Sequence, residues 1–153
     1  MSTTVFLCAA ALPAEAPLVP FTVCEVLRDL PAHEDKDLAI IGRYSFRSTG
    51  RSISEQSCDP ALEITPQLPL IEEKDAPKPP ENFELDGNAL RRKFADMQKR
   101  TSLGKFRFGT PDYDRWAVVY GRVTARKGDD AKKTPAEVIF RGSGVVIFLT
   151  PEP

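Results

Sequence analysis

Histidine is almost missing from this 153-residue chain: His33 is the only one. A metal centre built on imidazoles therefore has nothing to start from, and Cys8, Cys24 and Cys58 lack the close spacing of zinc motifs. An excess of one charge is also missing. The formal net charge is −1, which argues against a dedicated nucleic-acid binder while leaving room for a local basic patch. No phosphate-cradling loop is present, since Arg141-Gly-Ser-Gly144 has neither the lysine nor the helix such a loop needs. No serine stands in an elbow motif. Glu72 and Glu73 lie in a proline-rich stretch where fixed acid–base geometry is hard to hold. His33 sits in the polar run His33-Glu-Asp-Lys-Asp37, read as an exposed turn. These absences remove the usual marks of an enzyme, so no catalytic residue, cofactor or metal is expected.

A long apolar segment is lacking as well. Val5–Leu12 has the length of a signal-peptide core and falls far short of the ~20 residues that cross a bilayer. Ala14-Glu15-Ala16 has the small-x-small form of a cleavage site, but no Lys or Arg precedes the run and Pro17 follows it. Residues 1–20 are thus either a signal peptide or a loosely packed arm. Export is the favoured expectation and a cytoplasmic location its alternative. Removal of Cys8 with a signal peptide would leave Cys24 and Cys58 as an even pair. They are a candidate disulfide, stapling a helix to the sheet in an oxidising compartment; two buried thiols are the other reading.

What the chain does contain is a motif used twice. Leu38-Ala-Ile-Ile-Gly42-Arg43-Tyr44 is echoed by Trp116-Ala-Val-Val-Tyr120-Gly121-Arg122. Each is a β-favouring apolar run interrupted by Gly-Arg. A glycine inside a strand marks a bulge or a sharp coil where a Cβ would clash. Around this pair, residues 21–150 read as one domain. Phe21–Leu30 is a short helix capped by Thr22 and stopped by Pro31. Strands are expected from Leu38, over Arg51–Cys58 and at Ala61–Ile64. An acidic, proline-rich connector over 65–84, expected to be mobile, follows. A helix over Asp86–Thr101 has Leu90, Phe94 and Met97 on one face and Arg91, Arg92, Lys93, Lys99 and Arg100 over much of the rest. Leu103–Phe108 is a short strand or arm. Strands over Arg115–Lys127, Ala136–Phe140 and Gly144–Leu149 complete the sheet.

Five Gly-coiled strands with a helix between the third and fourth, after a short N-terminal helix, resemble the OB-fold, a mainly β, antiparallel barrel. The resemblance covers roughly 36–150 and rests on element order and on Gly42 and Gly121. Val23-Cys24-Glu25-Val26-Leu27 ahead of Gly42 is similar to small exported OB-like proteins of bacterial genomes, a likeness that implies no activity. The resemblance implies a binding module, since OB-folds engage oligonucleotides, oligosaccharides or peptides on a barrel face.

The candidate ligand-binding residues are Arg43, Tyr44, Phe46, Arg47 and Arg51 on the first two strands and Trp116 and Arg122 on the fourth, with Arg115 and Tyr120 beside them. Aromatic rings interleaved with guanidiniums suit stacking and anion contacts. The same aromatics share strand parity with apolar neighbours and equally suit a core. If Arg43 and Arg122 adjoin, a carboxylate or an anion must lie between them. The basic helix face either meets phosphates or an anionic membrane surface, or is simply solvated. The expected partner is a protein, peptide or glycan of the cell envelope; single-stranded nucleic acid is the alternative.

Overall fold

The computed structural model describes residues 16–81, 83–104 and 109–151. The apolar run Val5–Leu12, Cys8 and most of Leu103–Phe108 lie outside that set. The chain runs β1 (Phe21–Thr22), α1 (Val23–Arg28), α2 (Leu30–His33), β2 (Asp37–Arg47), β3 (Gly50–Ser54), β4 (Gln67–Glu72), α3 (Gly87–Arg100), β5 (Tyr113–Ala125), β6 (Ala136–Phe140) and β7 (Val146–Phe148). Strands β2, β3, β4, β6 and β5 are hydrogen-bonded in that order, and β5 closes back on β2. The result is a closed five-stranded barrel with α3 between its third and fourth strands, the OB-like arrangement. It is not wholly antiparallel: β4 and β6 run parallel, with Leu70 opposite Val138.

Residues that face one another across a ladder share a face of the sheet. Following the register from Ile40 to Val119, Tyr44 to Ile53, Ile53 to Leu68, Leu70 to Val138 and Val138 to Val123 traces the barrel interior. Ile40, Ile53, Leu68, Val119, Val123, Val138 and Phe140 on that face expose nothing. The opposite face of β2 and β5 is buried too. Ile41, Val118, Trp116 and Tyr120 lie there, and Phe94 of α3 meets Trp116 edge-on at 5.5 Å. A strand covered on both sides reads as an unbroken apolar run, which accounts for Leu38–Ile41 and Trp116–Tyr120.

The repeated glycines sit where neither strand bulges: the β2–β5 register runs without interruption from Asp37–Arg122 to Phe46–Tyr113. Instead, each long strand changes neighbour there. On one edge β2 pairs with β1 up to Ile41 and with β3 from Arg43. On one edge β5 pairs with β7 at Ala117–Val119 and with β6 from Arg122. A Cβ on Gly121 would lie 2.6 Å from the Ile139 carbonyl oxygen; one on Gly42 would lie 2.8 Å from Ile53 Cγ1 and 3.0 Å from the Ser54 oxygen. Close approach requires the glycines, as expected; a bulge does not occur.

The helices follow their local chemistry. Thr22 Oγ1 accepts the Glu25 amide at 3.1 Å, and Asp86 Oδ1 accepts the amides of Asn88 and Ala89. Pro31 falls in the first turn of α2, where its missing N–H costs nothing, so it starts a second helical turn as well as ending the first. α1 buries Val23, Cys24, Val26 and Leu27.

The third strand is the principal correction. It is β4, Gln67–Glu72, inside the stretch read as connector, and Ala61–Ile64 forms no strand. Leu68 and Leu70 point inward and are buried. Pro69 is tolerated because β6 pairing begins only at Leu70. β3 stops at Ser54, so Cys58 lies beyond it in an irregular segment. His33 is half-buried at the end of α2, its ring 4.7 Å from that of Phe21, rather than in an exposed turn.

Candidate functional site

The register places the predicted site residues in four different surroundings. Tyr44, Phe46 and Arg51 converge at one end of the barrel interior, because Tyr44 pairs with Arg115 and Ile53, and Phe46 with Tyr113 and Arg51. Arg43 and Arg47 have the opposite parity and lie on the outer face of β2. Trp116 is under α3. Arg122 is near the other end of β5, opposite Asp37, six residues along from the Trp116–Arg43 pair. Arg43 and Arg122 therefore do not adjoin.

The barrel end gathers the aromatic rings. Phe46 and Tyr113 stack with centroids 5.4 Å apart and planes 5° from parallel. Tyr44 lies 6.1 Å from Tyr113 and meets Phe148 edge-on at 5.9 Å. Two guanidiniums cover the group: Arg51 lies 5.1 Å from the Phe46 centroid, and Arg115 lies 3.9 Å from that of Phe148. Burial raises the Tyr44 phenol pKa above its ordinary value; the neighbouring Tyr113 adds to the rise and Arg51 opposes it. Tyr44 is buried, so it serves as the floor, whereas Phe148 is 42% exposed and Ile147 37%. Both belong to β7, which ends the sheet order.

The outer arginines are engaged. Arg47 Nη2 meets Asp114 Oδ1 at 2.6 Å, and the other oxygen of that buried carboxylate accepts the Gly104 amide at 2.7 Å. Arg43 donates to Ser54 Oγ at 3.2 Å and to the Ser102 carbonyl at 3.1 Å. With Arg47 it flanks a small cavity of about 220 Å³ lined by Ser52, Ser54 and Gln67. Arg122 donates to Asp37 Oδ1 at 2.9 Å, a bond that raises its pKa further. Trp116 is 5% exposed and packs against Phe94, so its ring is interior.

Cys24 and Cys58 are joined as a disulfide, with Cα atoms 5.7 Å apart. Beside it stands Glu55, a residue that sequence reasoning passed over because a single glutamate after a polar strand carries no signal of burial. Its side chain is wholly buried; Oε2 accepts the Cys24 amide at 2.7 Å. Oε1 has no hydrogen-bond donor, and Arg100 Nη2 stands 3.7 Å from it. Burial raises the Glu55 pKa, and the Cys24 amide and Arg100 only partly offset this.

Tyr113 and Phe148 were also missed as site residues. Phe46 pointed to Tyr113 only through a strand pairing that the sequence does not display, and Phe148 looked like ordinary core in a terminal apolar strand. Among the described residues no helix is long and apolar enough to cross a membrane. Comparison with protein-family models, curated proteins and solved structures yields no match to this chain.

Proposed function

We propose that this protein is a non-catalytic binding module of an oxidising, extracytoplasmic compartment, and that it takes a peptide or protein segment at the arginine-covered barrel end. The observation that carries the reading is the Arg115–Phe148 pair. A guanidinium held 3.9 Å over a ring that is still 42% exposed offers an apolar contact and a cationic one at the same point. Aromatic and arginine side chains are the ones that dominate binding energy at interfaces. The place of Phe148 on β7, the last strand of the sheet, favours an extended segment bearing apolar and acidic side chains. The Cys24–Cys58 disulfide supports the compartment, since such bonds persist where thiols are not kept reduced.

A nucleic-acid ligand has less support. Arg47, Arg51 and Arg122 each have a carboxylate within 3.4 Å, from Asp114, Glu72 and Asp37. Arginines already neutralised within the protein release few counterions on meeting phosphates.

The test is a binding titration with three probes: a peptide alternating acidic and aromatic residues, a neutral oligosaccharide and an oligo-dT strand. Peptide binding that persists in moderate salt and is lost in Phe148→Ser supports the reading. Binding of oligo-dT alone, falling steeply with salt, overturns it. Mass spectrometry of the protein from its host, showing free thiols at Cys24 and Cys58, overturns the compartment.

A further inference from the structure

Between α1 and α3 lies a cleft of about 740 Å³, on a different part of the molecule from the barrel end. Its lining carries five cationic side chains against three acidic ones. Lys93 is paired with Glu25 at 3.0 Å and Arg100 with Asp96 at 2.7 Å, while Arg92 and Lys99 have no carboxylate partner among the described residues. Cys24 lines this cleft, and Cys58 does not. The two sulfurs and a carboxylate oxygen of Glu55 all lie within 4.8 Å of one another. One half of the disulfide therefore borders a cationic cleft, and both halves adjoin a buried carboxyl group with an unsatisfied oxygen.

Glu55 accepts the Cys24 amide on Oε2 and has no hydrogen-bond donor on Oε1, so its ionised form is costly in this buried place. Beside two sulfurs, however, it is placed to exchange a proton with whichever thiol forms. The Ser57 carbonyl lies 3.6 Å from Cys24 Sγ, positioned to accept from a thiol there.

We propose that Cys24–Cys58 is an exchangeable disulfide, reached through the α1–α3 cleft by small anionic thiols, with Glu55 as the proton donor and acceptor. The thiolate of the incoming molecule attacks Cys24 Sγ, and the bond to Cys58 breaks. The electron pair leaves on the Cys58 sulfur, which takes its proton from the Glu55 carboxyl. A second thiol attacks the external sulfur of the mixed disulfide and releases Cys24, which is protonated from solvent; Glu55 regains its proton from the solvent. Two thiols are oxidised to one external disulfide, and the protein disulfide is reduced to two thiols. In the reverse direction the Glu55 carboxylate takes the Cys58 proton. This activity does not rest on peptide binding at the barrel end.

The test uses the full chain in its native state and follows reduction by alkylation and mass spectrometry. Anionic 2-mercaptoethanesulfonate and cationic cysteamine are compared at equal thiolate concentration. The anionic thiol is expected to react about tenfold faster at low ionic strength, with the two rates converging in high salt. Arg92→Ala/Lys99→Ala is expected to remove the preference. The rate per thiolate should fall as pH rises and Glu55 loses its proton, in the field of Arg100, Asp96 and Glu25. Glu55→Gln should slow both thiols about tenfold or more and flatten that profile. Equal rates for the two thiols, or a flat profile in the wild-type chain, overturn the proposal whether or not Glu55→Gln folds.

Discussion

Replacing Gly121 by alanine tests the closure of the barrel at its tightest point. The new methyl would sit 2.6 Å from the Ile139 carbonyl oxygen and 2.6 Å from Val138 Cγ1, inside the 3.4 Å at which ordinary contact begins. The oxygen is backbone on β6, a strand held between β4 and β5, so it cannot turn aside as a side chain would. Overpacking of this kind costs about 1–3 kcal/mol, occasionally more, and the smaller entropy of the unfolded alanine chain returns about 0.4–1 kcal/mol. With a backbone atom in the way, a net loss of about 2 kcal/mol is expected. In a chain of this size that lowers Tm by about 4–8 °C. Gly42→Ala should cost less, because its closest contact is Ile53 Cγ1, a side-chain atom. Gly87→Ala is the control: nothing lies within 4 Å of the added carbon, and the residue opens α3, so stability should hold or rise slightly. Urea and thermal unfolding of the three variants measure the order. Stability of Gly121→Ala within about 0.5 kcal/mol of the parent would refute the idea that these glycines exist for close strand approach.

Three further outcomes follow from the same geometry. Cys24→Ala/Cys58→Ala opens a cross-link between residues 34 apart, which in the chain-entropy model lowers stability by about 3.5–4 kcal/mol, read by denaturant unfolding against the oxidised parent. Because burial holds the Glu55 pKa above its unfolded value near 4.5, the native state binds the extra proton, so stability from this group is lost as pH rises through that interval. Relative to Glu55→Gln, the parent should therefore gain stability as pH is lowered toward 4.5; an unchanging difference in unfolding free energy contradicts the assignment. Trp116→Ala should cost about 3–5 kcal/mol through loss of packing against α3, and a stability unchanged in calorimetry would mean the ring is not interior.

The glycines and the two long strands were legible because their constraint is local: a glycine inside a β-favouring apolar run marks a place where a Cβ would clash. The helix cap at Thr22 was legible for the same reason. β4 was not. Pro69 within it, Pro66 just ahead of it and its acidic end are the composition of a linker, and only the pairing of β3 on one side and β6 on the other gives Leu68 and Leu70 a place to go. The site residues were recognised as chemical types but could not be assigned to places, since strand parity separates Arg43 from Tyr44 and register alone decides which residues of β5 each meets. Tyr113 meets Phe46 and Phe148 meets Tyr44 through contacts between segments 67 or more residues apart, and Arg115 joins them by lying over Phe148. Glu55 was invisible because its burial is imposed by α1 and α3 together.

The most direct test of the binding reading is chemical-shift mapping of the isotope-labelled full chain with the acidic–aromatic peptide. Shifts concentrated at Phe46, Arg51, Tyr113, Arg115, Ile147 and Phe148, and abolished in Phe148→Ser, are the expected result. Shifts confined to α3 or to the outer face of β3 and β4, with the barrel end unmoved, would contradict it.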